Sequence, residues 1–454
     1  MSRVWTILLV VLAATAAVFL FVIEPKLKST RERQATENFV FWFDPERIRG
    51  LRIVNGDQEF RIDRRNDGWW IGPWPKDRAS FKAVSDIVAT AGRLEVHDII
   101  RAKEGIDLDD FDLEKPKLRL DLVGDGEDSL YFGKEAAGQG RIYVRKANSR
   151  DVLVVDDDLQ KLVFRKPEEF RDRRLTNLTP ERIDGFTIKR GTGEIEVKRV
   201  GRDWELVRPL HARADSVAVN SLLEKLLGLQ IVKFVADEAH DLSAYGLGEP
   251  QGEVVFQVDG EVRPSALRIG TEVIEQDRKL ILAQFTARDS VYHLPMDAWT
   301  LLQIDPDDLR DRRLLALNLD AIDAIRFQRG EQEWMLEREG DDWKTGERRV
   351  AAETVNAFVD GMSNARVVEY LPLSDETLER SGLGNPVAGV TFDAWLSENT
   401  PEAVAGRRPV TKVTFGKVEN GNVYVRVDDD PEICVVPESA FDALPASAGA
   451  LGGD

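Results

Sequence analysis

Along most of this chain apolar and polar residues alternate in short runs broken by Gly, Asp, Asn and Pro, a two-residue period that predicts half-exposed β-strands. Between Ile183 and Leu302 the runs are Gly185-Phe-Thr-Ile-Lys189 and Glu194-Ile-Glu-Val-Lys198, flanking a turn at Gly191-Thr-Gly193, then Trp204-Glu-Leu-Val207. The period then changes. Val219, Leu222, Leu223, Leu226 and Leu227 recur at helical spacing, predicting a helix capped by Asp215 or Ser216 with one apolar face. Strands return at Glu253–Val258, Ala266–Ile269, Lys279–Ala283 and Val291–Leu294, followed by a short helix from Met296 to Leu302. Connections this short imply antiparallel pairing, because parallel neighbours need long crossovers. The expected unit is α+β, an antiparallel sheet with a helix packed on one face.

This pattern occurs three times. Glu194-Ile-Glu-Val-Lys-Arg199, four residues and Trp204 match Glu59-Phe-Arg-Ile-Asp-Arg64 with Trp69, and Glu333-Trp-Met-Leu-Glu-Arg338 with Trp343. The three Trp lie 135 and 139 residues apart, so the repeat has the length of a domain. Ile48, Ile183 and Ile322 open the copies. The equivalent helix faces are Phe81, Val84, Ile87 and Val88 in the first copy and Val355, Phe358, Val359 and Met362 in the third. A helical turn ending in Asp112, Gly246 or Gly382 precedes Pro116, Pro250 or Pro386, and these three residues suit a left-handed stop. Leu130-Tyr-Phe-Gly133, Leu267-Arg-Ile-Gly270 and Val413-Thr-Phe-Gly416 add a glycine at a strand end. The expected layout is an anchor and linker at 1–40, repeat domains at 41–168, 169–307 and 308–446, and a flexible tail at 447–454.

Val4 to Ile23 is a run of 20 residues without charge, which as a helix spans about 30 Å and predicts a transmembrane segment. It is longer than the apolar core of a signal peptide and lacks an Ala-x-Ala site after it, which favours a retained anchor over a cleaved signal. Lys26, Lys28, Arg31 and Arg33 would by count favour a cytoplasmic body. The two-residue polar head and the large body with one cysteine favour the reverse, so the expectation is a single-pass inner-membrane protein with an extracytoplasmic, periplasmic body.

Charge narrows the partners. The first 40 residues hold five basic and three acidic side chains, so the −19 of the whole chain leaves −21 on the rest. Such a body is repelled by nucleic acid. The four His (His97, His211, His240, His293) have no second ligand at metal spacing, and no nucleophile elbow or phosphate-binding loop is present. Asp156–Asp158 and Asp428–Asp430 do not follow a calcium-loop pattern. No catalytic residue, metal or cofactor is therefore expected. Trp69, Trp204 and Trp343 read as core anchors, whereas Trp70 and Trp74, unique to the first copy, are candidates for an exposed contact.

A second string, Phe170-Arg-Asp-Arg-Arg-Leu175, recurs 139 residues later as Leu309-Arg-Asp-Arg-Arg-Leu314, ahead of the second and third copies. Arg171, Arg173, Arg174, Arg310, Arg312 and Arg313 are expected to set the junctions through Asp–Arg pairs and capped backbone carbonyls. Binding of a lipid or glycan phosphate is the alternative. Cys434, in Ile-Cys-Val-Val, reads as a buried strand residue.

The anchor, the strand-turn-Trp elements, Tyr245-Gly-Leu-Gly-Glu-Pro250 and the Arg-Asp-Arg-Arg strings together resemble a bacterial family catalogued as domain of unknown function 4340. The resemblance implies a membrane-anchored repeat protein, often encoded beside gliding-type ABC transporters. It implies a non-enzymatic scaffold and accessory subunit whose partner is a transporter permease or another envelope protein. A ligand-binding or cell-wall-hydrolytic envelope protein is the alternative.

Overall fold

A computed structural model describes residues 38–73, 75–102, 106–317, 319–395, 407–428 and 430–451. The expected anchor Val4–Ile23 lies outside the described residues. Among those described, no helix is long and apolar enough to cross a membrane.

The three copies form three nine-stranded sheets of one design. In the first, β1 (Gly50–Asn55), β2 (Gln58–Arg65), β3 (Gly68–Gly72) and β4 (Asp77–Arg78) form a meander on one side. On the other lie β6 (Leu118–Val123), β7 (Glu127–Glu135), β8 (Arg141–Lys146) and β9 (Val152–Asp156). The two halves meet where β1 pairs antiparallel with β6, and β5 (Asp98–Ile100) closes the far edge on β9. The order is β4-β3-β2-β1-β6-β7-β8-β9-β5, repeated in the other two sheets. The seven runs legible in the middle copy thus became nine strands. The additions are the short strands before and after the helix, two to four residues long in every copy, too short to carry a period.

Helices lie on one face of each sheet. The buried side of α1 (Phe81–Ala91) carries Val84, Ile87 and Val88. They pack with α2 (Asp158–Val163) and with Ile53, Phe60, Ile62, Leu120 and Ile142 of the sheet. Val219, Leu222, Leu223, Leu226 and Leu227 are the buried face of α3 (Ser216–Leu227), as the spacing predicted. The corresponding helix of the third copy, Ala352–Asn364, buries Val355, Phe358, Val359 and Met362. One position departs from the pattern: Phe81, expected on the apolar face, is 65% exposed. It is the first helical residue after the Ser80 cap, one turn ahead of the stretch that covers the sheet.

The repeated residues have structural roles. Trp69, Trp204 and Trp343 are buried, and the Trp204 indole N–H donates to Asn220 Oδ1 on α3 at 3.2 Å. The Arg that precedes each Trp reaches back to carbonyls at the start of its copy. Arg199 donates to Pro180 O and Ile183 O, Arg338 to Asp320 O, and Arg64 to Glu46 O. Arg199 and Arg338 also lie over the faces of Trp204 and Trp343. Asp112, Gly246 and Gly382 all take left-handed backbone, at φ 55°, 66° and 72°. The turn they stop presses on the strand-end glycine. A Cβ on Gly133 would lie 2.1 Å from Phe111 O, one on Gly270 2.4 Å from Tyr245 O, and one on Gly416 2.2 Å from Ser381 O. The strand register slips just past each glycine, so turn, glycine and bulge are one device. Under the turn of the first copy, Leu108, Leu113 and Val152 form a small cluster on the face away from the helices.

The chain divides into two compact units. One holds the first two copies, through residue 308 apart from 212–216; the other holds residues 309–454 with 212–216. Each of the three expected repeats forms its own sheet, and the seam between the first two is described below. Within the expected tail, Ala448–Leu451 forms a 3-10 turn.

Replacing Gly270 by Ala should destabilise the protein by about 2–3 kcal/mol through overpacking against a backbone carbonyl. Gly384→Ala, where a Cβ meets nothing within 4 Å, should change stability by less than about 0.5 kcal/mol. Urea denaturation of the two variants side by side measures the difference; equal midpoints would remove the role assigned to the strand-end glycine.

Candidate functional site: the arginine–aspartate junction

Phe170-Arg-Asp-Arg-Arg-Leu175 is an extended segment whose two halves pair with different copies. Its first half joins the edge of the first sheet. Ala79 bridges Arg171, Ser80 N donates to Phe170 O, and Asp172 N donates to Arg78 O. Its second half joins the second copy, with Arg174 bridging Gln230 and Ile231 N donating to Arg173 O. The two pairings meet at consecutive residues, Asp172 and Arg173, so the copies are clasped with almost no slack.

Side chains lock the clasp. Asp77 accepts from Arg171 Nε and Nη2 at 3.0 and 2.6 Å, and from Arg288 Nε and Nη2 at 3.1 and 2.7 Å. Arg288 Nη1 caps the carbonyls of Asp172 and Arg174, and the remaining Arg171 nitrogen, Nη1, pairs with Asp237. The side chains of Asp77, Arg171 and Arg288 are only 4%, 2% and 2% exposed. The Arg171 guanidinium also lies on the Phe234 ring, 3.4 Å from its centroid. Asp77 comes from the first copy, Arg171 from the connecting segment, and Arg288, Asp237 and Phe234 from the second.

Two carboxylates and two guanidiniums balance, which burial requires. Burial alone would raise the Asp77 carboxyl, but Arg288 and Arg171 outweigh it and hold it below the usual carboxylate range. Burial, reinforced by Arg288, lowers the Arg78 guanidinium, which donates to the carbonyls of Arg174 and Leu175. Burial raises the Tyr292 phenol beside them.

The second string lies wholly in the second unit and follows the same plan. Ala214 bridges Arg310, Arg313 bridges Arg366, and Arg213 donates to the carbonyls of Arg313 and Leu314. Arg310 pairs with Glu432 and lies 3.2 Å from the centre of the Tyr370 ring. Ala212 stands in the place of Asp77, and among the described residues Arg310 Nη1 is buried without a hydrogen-bond partner. Burial raises the Tyr370 hydroxyl to about 12. It likewise raises the thiol of Cys434, a buried strand residue, to about 12.

The other expected contact residues are placed as follows. Arg173 donates to the carbonyls of Ile231 and Val232, and Arg174 and Arg313 pair with Asp172 and Asp311. Arg312 is exposed, with its carbonyl accepting from Val367 N. Trp70 is half-buried, its indole N–H on Asp67 and its ring under Arg65, while Trp74 lies outside the described residues. Asp–Arg pairs and capped carbonyls were expected. Asp77, Asp237 and Arg288 were missed. One sequence signal was available: the ring position is Phe234 and Tyr370 where an Arg string precedes the copy, and Ile99 where none does. Buried and fully engaged, Arg171 cannot reach an external phosphate. Among the described residues, no group of three or more His, Cys, Asp or Glu is placed to hold a metal.

Tandem antiparallel sheets joined by a shared segment define a repeat protein whose junction is part of its core. The chain belongs to the family described as Domain of unknown function (DUF4340), which it matches over residues 75–205, 204–372 and 345–451. The first match holds Asp77 and Arg171 and the second holds Phe234, Asp237 and Arg288, so the junction draws on both. No curated protein matches the chain. Among solved structures, a DnaN sliding clamp from Pseudomonas aeruginosa bound to griselimycin is 11% identical, over 89% of this chain and 94% of that one, with a TM-score of 0.13. The DNA polymerase III subunit beta from the same organism is 9% identical over 87% and 92%, with a TM-score of 0.15. Likeness at this level carries no argument about fold or function.

Asp77→Asn takes the carboxylate from buried Arg288 and leaves Arg171 with Asp237 alone, and should cost about 3–5 kcal/mol. Arg174→Ala, which removes a half-exposed pair, should cost less than about 1 kcal/mol. Because the folded Asp77 carboxyl sits below its unfolded value, its contribution is complete above about pH 4 and disappears as pH falls through the folded pKa. The stability gap between wild type and Asp77→Asn, measured by urea denaturation, should be constant from pH 7 to about 5 and narrow below about 4. A gap independent of pH would show that the Asp77 charge is not what matters.

Proposed function

We propose that the protein is a non-enzymatic scaffold, tethered to the inner membrane by Val4–Ile23 with its repeats on the extracytoplasmic side, and that it serves as an accessory subunit of an ABC-transporter complex. The observation that carries the reading is the use of buried polar groups. Asp77, Arg171, Arg288 and Asp237 neutralise one another at the seam between two repeats, whereas a catalytic group needs a site its substrate can reach. The residues common to the copies support the same reading, since the Trp, the left-handed turn and the strand-end glycine all serve packing. The uncharged 20-residue run supports the tether, and the transporter role follows from the family resemblance.

The full-length protein, purified by affinity tag in mild detergent from its native membrane, should carry an ABC permease with it in stoichiometric amount. Recovery of the protein alone, under conditions that retain a known permease complex, would overturn the transporter role.

A further inference from the structure

We infer that the first repeat rests on the lipid surface through Trp42 and Phe81. This rests on the tether reading and says what the tethered body does there.

Trp42 leaves a fixed backbone. Val40 N donates to Leu94 O, Val96 N to Asn38 O, and Lys146 Nζ to Val40 O, while Val40 and Phe41 are buried. Trp42 itself is 56% exposed and Phe81 is 65% exposed. Phe43 links them, lining both a hollow of about 570 Å³ beside Trp42 and a groove of about 770 Å³ whose wall includes Phe81 and Trp69.

The fold does not require either ring. The segment Asn38–Val40 pairs within the first copy as Arg173–Leu175 and Arg312–Leu314 do in theirs, which aligns Trp42 with Asn177 and Ala316. The helix starts align Phe81 with Ser216 and Ala352. At these two positions the first copy carries a large exposed aromatic where the other two carry small or polar residues and fold alike.

That copy is the one beside the tether. Only 14 residues separate Ile23 from Asn38, at most about 50 Å when fully extended. Trp and Phe on a body held this close partition into the headgroup region, with the tether supplying the effective concentration that two rings alone lack. Arg64 and Arg93 line the groove together with Glu46. This mixed rim, on an acidic body, fits zwitterionic headgroups better than an anionic surface.

The test uses the full chain reconstituted in phosphatidylcholine vesicles, with a share of the lipid brominated near the headgroup so that it quenches nearby Trp. Quenching in wild type should exceed that in Trp42→Phe by the contribution of one Trp. Phe81→Ser, which installs the residue of the second copy, should reduce that contribution at least about twofold while leaving the circular dichroism unchanged. Trp5, inside the apolar run, separates the two readings when Trp5→Phe is measured alongside. If Trp5 is quenched and Trp42 is not, the surface contact is wrong and the tether stands; if neither is quenched, the tether reading has failed. Trp42 shielded from aqueous acrylamide yet untouched by brominated lipid would mean that a second copy covers the patch, which also overturns the inference.

Discussion

One carboxylate shared by two buried guanidiniums makes the first two repeats a single body. Asp77, Arg171 and Arg288 lie 94 and 117 positions apart in sequence, yet their polar atoms meet within about 3 Å, out of water. Removing charges from water costs several kcal/mol per ion, and only close, well-satisfied geometry recovers it. The cluster therefore adds little net stability over an apolar contact of the same shape. What it can contribute is specificity, because a docking that keeps these groups buried but parts them leaves a charge unpaired. The backbone reinforces the choice, since the segment from Phe170 to Leu175 completes strand pairing on both sides and cannot shift by one residue without breaking both.

The second string shows how much of this plan is generic. Guanidinium on aromatic ring, arginine capping carbonyls and the double bridge recur around Arg310. The shared carboxylate does not. Ala212 replaces Asp77, and the loop corresponding to Arg288, Asp428–Pro431, contains no arginine. Among the described residues, Arg310 has Glu432 as its ion-pair partner and one nitrogen without a hydrogen-bond partner. A buried donor in that state costs about 1–3 kcal/mol, so the two strings, alike in sequence, differ in how well they satisfy the arginine at their centre.

What could be read from the sequence was local or periodic. The helix faces, the buried Trp, the left-handed turn and the antiparallel meander each leave a signature within about ten residues, and threefold recurrence makes each signature stronger than one copy would. The short edge strands leave none, since two to four residues cannot display a period. Phe81 misled because spacing alone does not say where along a helix the sheet begins. The partners of Arg171 were hidden for another reason: pairing between side chains so far apart is decided by topology, and nothing near Asp77 marks it as half of an ion pair. Only comparison between copies exposes such positions, through an aromatic at Phe234 and Tyr370 where the first copy has Ile99.

That comparison also bears on where this molecule can make contacts. A residue found in all three copies is explained by the fold it helps to build, and a chemical role assigned to it would have to operate three times over. Residues that differ divide by burial. The buried ones, Asp77 and Arg288, are occupied with each other. Among the exposed ones, Trp42 and Phe81 have no such account within the fold, and water around a large aromatic is unfavourable by roughly 25 cal/mol per Å² of apolar surface. A scattered exposed ring needs no explanation. Two rings beside hollows that Phe43 lines in common, on the copy that follows the apolar segment and absent from copies that fold without them, are a different case. Their exposure is what the proposed lipid contact would relieve.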